Sequence, residues 1–327
     1  MNGFSQTFSS AYLVPYPIPQ QKFGSEFFGY FGGGYNPSSV KSEITRIDFN
    51  NDTVLSMKRS GFQVSSPAIG TSNRQIKSCF GIANKNSAYW GGGTNQGGSE
   101  HSVIFRLDFA NDSVQAVNTG TLSYNGQQLS AVGNLDFGYI NGDSKSKVDR
   151  LDYSNDGAAT SPKGNLTTTK VYAGATGNKN FGYFGGGGPS NSKVDRIDYA
   201  TDTANATTRG NLSIYRTSLA ATGNQNYGYF AGGGGSLGTT SRVERVDYGN
   251  DMAAASPTAS LTISRNSLAA TGNQFFGYFA GGLPGPKSTV DRLDYSNDSI
   301  LMSNRGSLYQ DRDSLAGASA GANALSV

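Results

Sequence analysis

The sequence predicts an all-β fold, a six-bladed β-propeller of four-stranded blades, and three observations carry that prediction. The first is a repeated core, R-[ILV]-D-[FY], beginning at Arg46, Arg106, Arg150, Arg196, Arg245 and Arg292, at steps of 60, 44, 46, 49 and 47 residues. An Asn-Asp or Thr-Asp pair follows each copy. A period in the forties marks a repeat architecture. The second is an aromatic-glycine block ahead of each core, such as FFGYFGGG (27–34), FGYFGGGG (181–188) and FFGYFAGG (275–282). The third is composition: 36% hydrophobic residues with 45 Gly, which suits short strands joined by turns more than a helical core.

Taken in order, residues 1–22 precede the repeats. Pro15, Pro17 and Pro19 favour an extended, polyproline-like arm with few backbone donors for a sheet. Residues 23–327 are expected to form one closed unit, because the repeats run nearly end to end. Within a repeat, Ser218–Asn224 reads as the inner strand, A, where blades converge and only small residues fit. Tyr227–Ala231 reads as strand B, Arg242–Tyr248 as C and Met252–Ala255 as D. The glycine run after B permits positive φ and close backbone approach. Helix is not expected, since no window sustains a 3.6-residue period.

The two ends predict how the ring closes. RDSLAGASAGA (312–322) matches the start of a strand A, yet no aromatic-glycine block follows it. Conversely, FFGYFGGG at 27–34 has no clean strand A before it. The C-terminal segment should supply strand A to the blade made from residues 27–57, removing an open edge. Deleting Asp313–Val327 should therefore strongly destabilise the protein.

Several function classes find little support. The formal charge is +3 and the basic residues are dispersed, whereas nucleic-acid binding needs a concentrated basic patch. No apolar stretch approaches the roughly 20 residues that span a bilayer. The first 20 residues lack the charged and apolar regions of a signal peptide, so synthesis in a cytoplasm is expected. A single cysteine, Cys79, excludes an intramolecular disulfide framework. With one His, His101, it gives no Ser-His-Asp or Cys-His arrangement, and no enzyme is expected. No cofactor is expected either. The segment Asp152–Gly157 superficially resembles a calcium loop, but it lacks the third carboxylate and the bidentate Glu.

Three groups of residues stand out. The pairs Arg46/Asp48, Arg106/Asp108, Arg150/Asp152, Arg196/Asp198, Arg245/Asp247 and Arg292/Asp294 are spaced i, i+2, so both side chains leave one face of strand C. A charge-assisted contact to the next blade, repeated around the ring, is the expected role. Lys170, Arg216, Arg265 and Arg312 precede strand A. They either gather at a channel mouth, where they would attract an anion or acidic glycan, or pair locally with carboxylates and carbonyls. The B–C loops vary most between copies, and irregular loops on a rigid scaffold are where binding is usually placed. Their candidate contact residues are Tyr35, Asn36, Asn95, His101, Ser190, Asn191, Leu283 and Pro284.

The order of strand A, Gly-Asn, aromatic, Tyr and Gly-Gly, followed by V-x-R-x-D-Y and N-D, resembles the Kelch repeat across residues 27–327. It departs from that family in lacking the Trp after the Asn; the one Trp, Trp90, lies in a strand B. The wording GYFGGGG (182–188), VDRLDYSND (148–156), GNLS (210–213) and SLAATGN (218–224) is also similar to Kelch-like repeats in virion proteins of marine tailed phages, cyanophages especially. The resemblance implies a non-enzymatic virion structural protein: a tail, fibre or capsid-decorating component. Its partners would be other virion proteins, through residues 1–22, and a host-surface glycan or protein. A cellular Kelch-like interaction module and a carbohydrate-active enzyme using the channel are the alternatives.

Overall fold

The computed structural model describes residues 26–63, 75–188, 190–235, 238–285 and 287–319. The expected arm, residues 1–22, lies outside them. The described residues form six four-stranded antiparallel sheets, arranged as the blades of a propeller. Blade 5 shows the plan from the axis outward: Ala220–Gly223, Tyr227–Ala231, Arg242–Asp247 and Ser256–Ser260. No α-helix occurs among the described residues; four single 3-10 turns follow strand C in blades 2 to 5.

The inner strands are Ala316–Ala318, Phe80–Ala83, Ser130–Gly133, Gly174–Gly177, Ala220–Gly223 and Ala269–Gly272, in ring order. Their small residues answer to crowding at the axis. A Cβ added to Gly317 would lie 2.0 Å from the Ala270 carbonyl oxygen, so only glycine fits there. Further out, aromatics fill the gaps between sheets. Tyr30, Tyr89, Tyr139, Tyr183, Tyr229 and Tyr278, all from strand B, are almost completely buried. Apolar clusters occupy every junction between neighbouring blades.

The ring closes as the two ends predict. Ala316–Ala318 pairs with Phe28–Gly32, placing Tyr30 opposite Ala318 and Gly32 opposite Ala316. The Trp90 indole of blade 2 donates to the Ala316 carbonyl at 3.2 Å, and Tyr35 bridges to Asp313. The sheet edge that the first blade would otherwise expose is thus paired by the chain's own end.

Strand D lies further along the chain than its sequence suggests. Met252–Ala255 forms no strand; strand D is Ser256–Ser260. The intervening residues instead cross to the previous blade, where the Ala255 amide donates to the Asn211 carbonyl. That crossing brings Asp251 to the blade junction described next.

Candidate functional site

Each blade junction is built from one constellation, and its parts come from different letters of the repeated core. Arg196 of blade 4 donates to the Asp251 carboxylate of blade 5 at 2.8 Å. The Tyr183 hydroxyl, from strand B of blade 4, donates to the same oxygen at 2.9 Å. The Tyr183 ring stacks on Tyr248 of blade 5, with centroids 4.7 Å apart. Around the ring the carboxylates are Asp112, Asp156, Asp202, Asp251, Asp298 and Asp52, received from Arg46, Arg106, Arg150, Arg196, Arg245 and Arg292 in turn. The last pair joins blade 6 to blade 1 and completes the circuit.

The inter-blade carboxylate is therefore the last residue of the Asn-Asp or Thr-Asp pair. It is not the i+2 partner of the arginine. Asp48, Asp108, Asp152, Asp198, Asp247 and Asp294 each accept the backbone N–H two residues on and so fix the turn after strand C. Each sits where strand C passes into its turn, so its carboxylate is taken up by that turn's own amide, while the Asp four residues on lies at the junction. Strand B tyrosines and the terminal Asp were equally repeated in the sequence; what hid their roles is that strand position does not reveal reach across a junction. Burial, reinforced by the neighbouring carboxylate, pushes the six tyrosine hydroxyls well above the usual phenol range. Five of the six arginines also lie over an aromatic ring, as Arg196 does over Phe181 at 4.2 Å. Blade 2 has Ser87 at that position, and Arg106 is the most exposed of the six at 41%.

The four basic residues before strand A do not form a ring open to solvent. Lys170, Arg216, Arg265 and Arg312 are 0% exposed. Each passes beneath strand B and ties the start of strand A to strand C of its own blade. Arg216 donates to the Gly232 carbonyl at 2.7 Å and to Glu244 at 2.6 Å; Arg265 reaches Asp291 at 3.0 Å. Lys170 lies 3.7 Å from Asp195. Burial lowers the pKa of Lys170, Arg216 and Arg265, and the facing carboxylate opposes that shift. Arg312 has Thr45 where the other three have an acid, and donates to its hydroxyl at 2.6 Å. Burial brings the Arg312 pKa down to about 10.

The channel is closed at the end where strands A begin. Ser78, Gln128, Tyr172, Ser218, Ser267 and Ser314 all adopt φ between 52° and 59°. Each donates its amide to the carbonyl of its counterpart in the preceding blade, at 2.7–3.1 Å, in a complete circle of six hydrogen bonds. The void at this mouth is about 60 Å³ and the one deeper among the inner strands about 50 Å³. Either volume suits water rather than a sugar or nucleotide. Cys79 lies buried beside the mouth, and burial pushes its thiol up to about 12, so no thiolate nucleophile is available at neutral pH.

The candidate loop residues surround the same mouth, but several serve the loops themselves. Asn36 accepts from the Ser38 and Ser39 amides, and Asn95 from the Ser99 amide. Asn191 donates to the Thr168 hydroxyl at 3.1 Å. Tyr35 is held under Lys77, whose ammonium is 4.9 Å from the ring centroid. His101 is not a loop residue: it opens strand C of blade 2, His101–Asp108, opposite Gly126. Leu283 bridges to Asn266, while Ser190 and Pro284 are exposed. No group of three or more His, Cys, Asp or Glu side chains placed to hold a metal occurs among the described residues. Asp152 caps its own turn and Asp156 receives Arg106 and Tyr89.

One open groove adjoins the mouth, between the loops of blades 4, 5 and 6. It measures about 400 Å³ and is lined by Ser190, Tyr215, Thr217, Thr239 and Asn266, with glycines between them. Only Ser190 was among the sequence candidates. The signal for the others was Tyr215, an aromatic at a position where the remaining copies carry small or polar residues. No protein-family model matches the chain, and no curated protein matches it in sequence.

Proposed function

We propose that this chain is a non-enzymatic structural component of a tailed-phage virion, a tail, fibre or capsid-decorating part with Kelch-like repeats, which presents surface loops to neighbouring proteins and to the host surface. The observation that carries this reading is the division between what repeats and what varies. The repeated residues are consumed in holding the ring rigid, through six Arg–Asp–Tyr junctions and the circle of mouth amides. What varies is surface. Large apolar side chains stand exposed after strand C in four successive blades: Met252 in blade 5, Ile300 and Leu301 in blade 6, Val54 and Leu55 in blade 1, Val114 in blade 2. Blades 3 and 4 carry Ala158 and Ala204 at the matching sites. An arc of this kind suits contact with a neighbouring protein of the particle. The wording of the repeats supplies the phage assignment, and the small channel voids favour presentation over catalysis.

Mass spectrometry of purified particles tests the reading. The chain should appear at a copy number comparable with other structural proteins, and its absence from particles would end the virion assignment in favour of a cellular interaction module.

A further inference from the structure

The groove beside the mouth is assembled from departures from the repeat. Tyr215 immediately precedes the buried Arg216, where the other blades have Gln75, Asn125, Thr169, Ser264 and Asp311. Beside it, the B–C loop of blade 5 folds into an additional two-stranded ribbon, Gly234–Gly235 with Gly238–Thr239, the only such ribbon among the described residues. Two backbone hydrogen bonds between Thr217 and Gly234, at 2.9 and 2.8 Å, fix the ribbon to the start of strand A. A Cβ at residue 235 would lie 2.4 Å from the Tyr215 carbonyl oxygen, so glycine is what lets the ribbon lie against that tyrosine. Asn266 of the next blade reaches over and donates to the Thr239 hydroxyl at 3.2 Å.

The lining selects a chemistry. It offers one half-buried aromatic ring, the hydroxyls of Ser190, Thr217 and Thr239, an amide at Asn266 and glycine backbone, and none of the described residues lining it carries a carboxylate, ammonium or guanidinium. An anionic ligand would find no counter-charge here, and an acid–base reaction would find no catalyst. A neutral saccharide fits: its C–H face can lie on the tyrosine, and its hydroxyls can exchange hydrogen bonds with the rim. The volume of about 400 Å³ falls within the range of small-ligand sites and suits a mono- or disaccharide. We infer that this groove binds a neutral saccharide, with Tyr215 as the platform. The inference deepens the host-surface reading above and rests on it for its biological meaning, though not for its chemistry.

The test is titration of the intact chain with glucose, galactose, mannose, N-acetylglucosamine and their common disaccharides, followed by calorimetry and saturation-transfer NMR. At least one should bind saturably. Tyr215→Ala should weaken that binding by about tenfold or more, the effect expected of a lost stacking platform. Tyr215→Phe should retain it, and the melting temperature of both variants should match the parent. Glucuronate, which carries a charge, should bind no tighter than glucose. Failure of every neutral sugar to saturate the parent protein overturns the inference, as does binding that survives Tyr215→Ala. Particle composition separates the two readings: sugar binding by a chain absent from particles removes the virion role and leaves the groove. The reverse result removes the groove alone.

Discussion

Replacing Asp251 with alanine should destabilise the protein far more than replacing Asp198, although Asp198 is the residue spaced two from an arginine. Asp251 is almost buried and accepts from Arg196 at 2.8 Å and Tyr183 at 2.9 Å, with the Arg209 guanidinium 3.4 Å away. Its loss strands two cations and a phenol at a blade junction. Breaking one side of a buried ion pair costs about 3–5 kcal/mol. Arg196 and Arg209 are each about one-fifth exposed, so water recovers part of this, and about 2–4 kcal/mol is the expected cost here. Asp198 accepts one local amide, and losing such a cap costs about 1 kcal/mol. For a chain of this size the melting temperature should fall by roughly 3–6 °C in Asp251→Ala and about 1.5 °C in Asp198→Ala. Chemical denaturation checks the order, and a double-mutant cycle with Tyr183→Phe should show coupling of about 1 kcal/mol between tyrosine and carboxylate. Equal losses for the two aspartates, or an Asp251→Ala variant as stable as the parent, would refute the assignment of the junction.

Two further outcomes follow from the buried charges and phenols. Thr45→Asp gives Arg312 the carboxylate that Arg216 and Arg265 already possess, and should raise the melting temperature by a few degrees, the return of about 1–2 kcal/mol. An unchanged or lower melting temperature would show that Arg312 is already satisfied by the Gly33 and Glu43 carbonyls. At alkaline pH the six junction tyrosines should make unfolding steep. Their folded pKa values are raised above the ordinary value of 10.0, so their contribution is whole below about pH 10 and is lost as pH climbs toward the folded values. Each phenol that stays neutral only when folded loses about 1.4 kcal/mol per pH unit above that point. The absorbance of the junction tyrosinates should therefore appear together with loss of the β-sheet circular dichroism signal, after that of surface tyrosines such as Tyr309. Ionisation of all 18 tyrosines with the sheet intact would contradict the burial.

Much of the fold could be read from the sequence because a propeller states its own geometry repeatedly. Strand B at Tyr227–Ala231 matches its predicted bounds, and Ala316–Ala318 closes the ring on the blade that lacked an inner strand. Strand D lies later than the sequence suggests because the short apolar segment Met252–Ala255 crosses to the neighbouring blade and does not pair within its own. The junction was half legible. Its arginines were found, since six identical charges need a structural role, but spacing along a strand cannot show which of two nearby aspartates crosses the gap. Asp247 and Asp251 flank one turn four residues apart, and the first bonds the turn's amide while the second meets Arg196 across the junction. The basic residues before strand A show the same limit. Arg216 marks its position clearly, yet whether that position faces the channel or the sheet interior depends on the left-handed residue two places on, Ser218, which turns the chain toward the axis.

Departures from the repeat divide into two kinds, and the division separates packing from function. Inside a blade, a change at the basic position is answered at the facing site on strand C. Ile76 faces the apolar Phe105, where Arg216 faces Glu244. Gly126 leaves Asp149 without a base from the start of strand A, and Lys147 of the same blade supplies the cation at 3.4 Å, beside the Ser123 and Thr160 hydroxyls. Arg312 meets the hydroxyl of Thr45. These are paired adjustments, as an interior requires when an unpartnered polar group costs more than its own interaction is worth. Tyr215 belongs to the other kind. Nothing in the sheet beneath it changes to receive it, since Arg216 keeps its Glu244 contact, and the residues that accommodate it are the glycines of a surface ribbon found in no other described loop. A departure that the interior does not answer is one the fold does not need, which is why the groove around Tyr215, and none of the six junctions, is the place to look for a ligand.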